Sequence, residues 1–173
     1  MKKSIAWILT TIMMLALLTG CGSKSAKSDA EYVKKNGKLI VGITDYEPMD
    51  YKDENGEWTG FDAEFARMFA KELGVDCEFF VIADWGQKFF ELDSKNIDAI
   101  WNGMTITDEV TLNTNCSKPY VINAQVVVMK ADAVGNYADT DSLKDLTFAV
   151  ESGSAGEDAV KGLGISDYVA VQD

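Results

Sequence analysis

Asn102, Gly103, Thr105 and Thr107 follow an apolar run, Ile97, Ala99 and Ile100, inside the stretch IDAIWNGMTITDEV. An amide, a glycine backbone and two hydroxyls at the end of a buried strand can hydrogen-bond a small polar molecule that comes close to the chain. In α/β sheets such molecules sit beyond the carboxyl ends of strands, where glycine lets them reach the backbone. The same residues would also suit a tight turn, with Gly103 relieving strain and a threonine capping the next helix. Tyr46 and Trp85 each follow a strand-like run. Two ring faces could clamp an apolar stem, or a cation at ~0.5–2 kcal/mol, although core packing uses such rings as well. Ser152, Gly153, Ser154 and Ala155 run into a helix start. Free N–H groups and the helix dipole favour a carboxylate or phosphate there. The stretch lacks the lysine of a nucleotide-binding loop, and a plainly capped helix would use the same residues.

Other chemistries are excluded by composition. The 173 residues contain no histidine, which removes Ser-His-Asp and Cys-His catalysis and His-ligated zinc. No metal site and no cofactor are expected. Glu151 and Asp45 are the visible candidates for general acid–base work. Beyond residue 21 the chain carries 14 Lys+Arg against 28 Asp+Glu, a net charge of −14. Such an acidic body repels phosphate backbones, so nucleic acid is not an expected partner.

The elements that must position these residues alternate. KLIVGIT (38–44) reads as a buried strand, and Asn55-Gly56 marks a hairpin. Over 62–73 a helix is predicted, because Phe61, Phe65, Met68, Phe69 and Leu73 form one apolar stripe. DCEFFVI (76–82) is a second strand, residues 85–96 a short helix, and DAIWNG (98–103) a third strand. AQVVVMK (124–130) reads as a strand covered on both faces. TFAV (147–150), a helix within 152–164 and DYVAV (167–171) follow a polar stretch. Short connections between alternating strands and helices point to parallel strands and an α/β fold. Tyr46, Trp85 and Gly103 would then leave the same end of one sheet. Residues 131–173 are too few to bury a core alone, so the chain reads as a first lobe followed by a second lobe cut short. Cys77 suits a buried strand position, and no disulfide with Cys116 is expected.

At the amino end, Lys2 and Lys3 precede 14 apolar or small residues, 5–18. That is shorter than the ~20 needed to span a bilayer, and it matches a secretory signal. Leu18-Thr19-Gly20-Cys21 resembles a bacterial lipobox, which implies cleavage at residue 21, lipid attachment at Cys21 and anchoring by acyl chains. Residues 22–37 are assigned as a flexible leash. The expected location is the outer face of the cytoplasmic membrane or the periplasm.

LIVGITDYEPMDYKDENGEWTGFDAEFARMFAKELG resembles the opening of the solute-binding proteins of polar-amino-acid ABC importers. GFDAEF (60–65), IDAIWNGMTITDE, SKPYV and DLTFAVESGSAGEDAV follow in that family's order over about residues 31–173. The resemblance implies an α/β fold of the periplasmic-binding-protein type II class, two lobes closing about a hinge. Residues 38–130 would form the first lobe with the first hinge strand, and 131–173 the start of an incomplete second lobe. It further implies Tyr46 and Trp85 as the aromatics around the ligand. Asn102, Gly103 and Thr105 become first-lobe contacts, and Ser154 and Ala155 the second-lobe helix start. The implied partners are an amino acid or cationic relative, a permease and an ATPase, for a monomeric receptor. Two positions depart from the pattern. Val110 stands where the family usually places an arginine that forks onto a carboxylate. Glu151, a carboxylate where a neutral or basic residue is common, would favour a cation if it lines the cleft, or would simply face solvent. The competing readings are a sensory or adhesive surface lipoprotein and a dehydratase-like enzyme on the same fold. The chain as it stands, lacking most of a second lobe, is expected not to bind ligand appreciably.

Overall fold

The computed structural model describes residues 28–172. The signal segment 1–21, the lipid site Cys21 and residues 22–27 of the leash lie outside the described residues. The chain divides into two compact units, Met1–Tyr32 and Val33–Asp173. Of the former, residues 28–32 are described, the opening of helix α1 (Asp29–Asn36). This corrects the leash assignment over 29–36. Ser28 Oγ accepts from the Glu31 N–H at 3.2 Å, Asp29 and Glu31 fill the first turn, and Lys34 and Lys35 the last. Each choice complements the helix dipole.

The second unit is built on three parallel strands. β1 (Lys38–Ile43) lies between β4 (Asp76–Val81) and β5 (Ala99–Ile100). β1 is apolar on both faces because helices cover both. Leu39, Val41 and Ile43 pack with Val33 and with Ala66 and Ala70 of α2 (Phe61–Leu73). Ile40 turns the other way, toward the cluster of Ile82, Trp85 and Ile97. At Gly42 a Cβ would come within 2.6 Å of Ile97 Cδ1 and 2.8 Å of Ile82 Cδ1, so any side chain would displace that second cluster. The expected hairpin is present: β2 (Tyr51–Lys52) pairs antiparallel with β3 (Trp58–Thr59), with Gly56 at φ 83° between them.

Helix α2 differs from the expectation in its orientation. Its buried residues are Asp62, Ala63, Ala66 and Ala70, whereas Phe61, Phe65, Met68 and Phe69 remain partly open. Small residues let the helix axis approach the strands closely, which large ones would prevent. The rings instead form a lateral cluster: Phe65 meets Trp101 edge-on with centroids 5.0 Å apart, and Phe61 stacks on Tyr120 at 6.2 Å. After β4, a 3₁₀ turn (Trp85–Gln87) leads into α3 (Lys88–Asp93), and α4 (Asp108–Asn113) follows β5.

Residues 124–130, expected as a strand, pair with no strand among the described residues. A strand persists through its ladder partner, and Val126 and Val128 stand open to solvent here. Two 3₁₀ turns, Val134–Asn136 and Thr140–Leu143, lead to a second small sheet. There β6 (Phe148–Glu151) pairs parallel with β7 (Tyr168–Val171) across α5 (Ala155–Gly162), over buried Leu143, Val160 and Ile165.

Candidate functional site

Because β1, β4 and β5 are parallel, their carboxyl ends share one edge, and the segments leaving that edge carry Tyr46, Trp85 and Gly103. A cavity of about 490 Å³ opens there. It is lined by every residue singled out for ligand contact: Tyr46, Trp85, Asn102, Gly103, Thr105, Ser154 and Ala155.

Each is held differently. Tyr46 sits in a tight loop closed by two backbone hydrogen bonds with Asp50, at 2.6 and 2.9 Å. Its ring stays about half exposed and lies beside Gly103, where a Cβ would be 3.3 Å from Tyr46 Cε1. Gly103 has φ 59°, a left-handed conformation that strains other residues. The glycine therefore serves both the turn and the approach of the ring. It lies beyond the strand proper, since β5 ends at Ile100 and Trp101 makes the last ladder bond, its N–H to the Gly42 carbonyl at 3.0 Å.

Asn102 is buried and already engaged. Its Oδ1 accepts from the Thr44 N–H at 2.8 Å, and its Nδ2 donates to Thr44 Oγ1 at 2.7 Å. It ties the loop after β5 to the loop after β1 and so positions Gly103 against Tyr46. Thr105 Oγ1 accepts from Asn123 Nδ2 at 2.9 Å and from Gln125 Nε2 at 3.5 Å, which ties residues 123–125 to the cavity wall.

Trp85 departs from the paired-clamp expectation. Its side chain packs with Ile82 and Ile97, and the residue is only 9% exposed. Asp84 caps the 3₁₀ turn by accepting from the Gly86 N–H at 2.9 Å. Lys88 Nζ lies 5.2 Å from the indole centroid. Tyr46 is thus the open aromatic wall, and Trp85 a mostly buried one.

On the second side, Ser154 caps α5. Its Oγ accepts from the Glu157 N–H at 3.1 Å and donates to the Glu151 carbonyl at 2.8 Å. With the hydroxyl so used, the helix-start donors that remain without an intrahelical acceptor are the N–H groups of Ala155 and Gly156. Gly153 (φ 70°) packs so tightly that a Cβ would lie 2.8 Å from Gly86 Cα. That contact brings the α5 start to the mouth of the sheet.

The lining carries four carboxylates, Asp45, Glu109, Glu151 and Asp158, and one basic side chain, Lys88. Lys88 is 4% exposed and donates to the Gly153 carbonyl at 3.0 Å and, more weakly, to the Trp85 carbonyl at 3.4 Å. Burial lowers its pKa, while the carboxylates of Glu109, Glu151, Asp158 and Asp84 act in the opposite direction. Sequence reasoning missed Lys88, Glu109 and Asp158. The signal for Lys88 was available: a lysine three residues after Trp85 and four before Leu92 lies on the apolar face of its helix. Val110, at the position of the expected arginine departure, is 3% exposed and adds an apolar patch, its N–H donating to Thr107 Oγ1 at 3.3 Å.

Beneath the Tyr46 loop lie two buried carboxyls. Asp50 is pushed up to about 7 by burial and by the charge of Asp62, and neither of its oxygens has a hydrogen-bond partner. Asp62 is also raised, chiefly by burial, although the Tyr120 hydroxyl donates to its Oδ1 at 2.8 Å. Cys77 and Cys116 are both free thiols. Among the described residues no cluster of metal-ligating side chains occurs, and no helix is long and apolar enough to cross a membrane.

The family description "Bacterial extracellular solute-binding proteins, family 3" matches residues 39–155. The chain belongs to that family. Its fold is that of the type II periplasmic binding proteins. L-cystine-binding protein TcyJ of Escherichia coli K12 is 32% identical over 167 residues, which span 92% of this chain and 62% of TcyJ. The arginine-binding extracellular protein ArtP of Bacillus subtilis is 35% identical over 167 residues, spanning 94% of this chain and 61% of ArtP. This chain therefore spans less than two thirds of either relative. The crystal structure of the ancestral amino acid-binding protein AncCDT-1, a precursor of cyclohexadienyl dehydratase, superposes with a TM-score of 0.76 at 33% identity. The match covers 83% of this chain and 64% of AncCDT-1.

Proposed function

We propose that the protein is an extracytoplasmic receptor that binds a small amino acid bearing a positive charge and delivers it to an ABC permease and its ATPase. The observation that carries this reading is the lining of the cavity. One open ring, a left-handed glycine turn and the start of α5 meet around four carboxylates and a single ammonium. Such a lining favours a ligand with more positive than negative charge, and a tyrosine face suits an alkyl chain ending in a cation. ArtP, named for arginine, and TcyJ, named for cystine, support an amino acid as the class. Export and lipid attachment at Cys21 complete the reading, with the receptor at the outer face of the cytoplasmic membrane or in the periplasm.

Binding is favoured over catalysis. The carboxyls raised by burial, Asp50 and Asp62, do not line the cavity, whereas a general acid must reach its substrate. Calorimetric titration of the full-length protein with the proteinogenic amino acids, cystine and small diamines tests the proposal. Micromolar or tighter binding confined to cationic members is expected. Silence across the panel, or selective binding of an acidic amino acid, would refute it.

A further inference from the structure

We propose that Lys88 is the cation that binds the ligand's carboxylate, working together with the free N–H groups of Ala155 and Gly156. The inference rests on the cavity being an amino-acid site and specifies which side chain reads the acid. Lys88 is the sole basic residue among those lining the cavity. Its backbone is on α3 of the first lobe, but its amine reaches the Gly153 carbonyl at 3.0 Å, at the turn immediately before the α5 start. The ammonium and the α5 N–H groups are thereby brought to the same side of the cavity.

An ammonium has three protons. Two are directed to the carbonyls of Gly153 and Trp85, which leaves the third for a ligand. Burying a lysine is costly unless its charge is met. Here the Trp85 and Phe89 rings lie 5.2 and 4.7 Å away, and the negative charges of Glu109, Glu151 and Asp158, which line the same cavity, favour the charged amine. A ligand that were only an anion would be repelled by those carboxylates. A cationic amino acid satisfies both sets: its carboxylate meets Lys88 and the helix start, and its ammonium or guanidinium groups meet the acids. Val110, buried and apolar nearby, supplies no competing charge.

The test compares L-arginine with L-argininamide, which differ at the carboxylate alone, on the full-length wild type and Lys88→Gln. Glutamine keeps a donor for the Gly153 carbonyl and removes the charge. The acid-to-amide affinity ratio is expected to fall about tenfold or more in the variant, and Lys88→Arg is expected to retain most of it. A purely structural lysine would weaken both ligands equally, and an unchanged ratio overturns the proposal. Should Lys88→Gln not fold, the Lys88 Nζ ¹⁵N resonance of the wild type gives the same answer. It should move on adding L-arginine and not L-argininamide; equal movement, or none, contradicts the assignment. Where another cationic amino acid binds in place of L-arginine, that compound and its amide are compared in the same way; a wild type that binds no amino acid of the panel refutes the amino-acid reading itself.

Discussion

The two walls of the cavity are built on different principles. The first-lobe wall stands on a three-stranded parallel sheet with helices on both faces, and side chains lock its loops together: Asn102 to Thr44, and Tyr120 to Asp62. The second-lobe wall is one helix start on a two-stranded sheet, joined to the first lobe by the Lys88 amine and the Gly153–Gly86 backbone contact. One wall is preset by its own core, and the other is adjusted by a few contacts across the gap. For the receptor proposed above, closure about a hinge would use this asymmetry, because a wall held by few contacts is the one a ligand can shift.

The largest expected effect probes what lies under the fixed wall. The Asp50 carboxyl is raised from 3.8 to about 7 in the folded protein. Between those values the folded state keeps a proton that the unfolded chain has released, so stability falls as pH rises and is lowest above about 7. Asp50→Asn removes that titration. Its stability relative to wild type should be greater at pH 8 than at pH 5, by on the order of 2–4 kcal/mol, as read by urea melts at both values. A pH-independent difference would show that Asp50 does not titrate in this range.

Gly153→Ala attacks the movable wall. A Cβ there meets backbone rather than a flexible side chain, and φ 70° adds strain. Affinity should fall about tenfold to a hundredfold, more than the loss of about 1 kcal/mol in stability that the left-handed strain adds, as read by urea melts. Asn102→Ala should act in the reverse sense. It leaves the Thr44 N–H without its buried partner, at a cost of about 1–3 kcal/mol in stability, and affinity should fall only as Gly103 loosens. If the two variants had the same profile, the walls would not be independent.

The smallest effect separates the aromatics. Tyr46→Ala should weaken ligand binding by about 0.5–2 kcal/mol with little change in Tm, because the ring is open. Trp85→Phe should lower stability through its place beside Ile82 and Ile97, and leave affinity within about threefold. Tm and Kd measured on both variants decide whether the indole is core or clamp.

Much of the first wall was legible in the sequence. The Leu-Ile-Val run of β1 and the Asn55-Gly56 turn are local signals, and each formed the expected element at nearly the expected place. What escaped notice depends on partners distant in sequence. The stripe of Phe61, Phe65 and Phe69 is periodic, but periodicity does not say that a helix approaches its sheet through Ala66 and Ala70. Asn102 reads as a ligand amide until Thr44, remote in sequence, is seen to occupy it. Trp85 follows its strand as expected, yet its burial beside Ile97 across the sheet end is a matter of three-dimensional packing. Residues 124–130 have a strand's composition without a strand's partner, and α1 was hidden in a segment whose polarity suggested only a leash.

The central claim is that one ligand is gripped by both walls at once. Amide hydrogen exchange on the full-length protein, with and without a saturating cationic amino acid, measures that directly. The account predicts that the Gly103 and Thr105 amides and those of Ala155 and Gly156 gain protection together, at the same ligand concentration. Protection limited to one of these segments, or appearing at neither while ligand is bound, would contradict it.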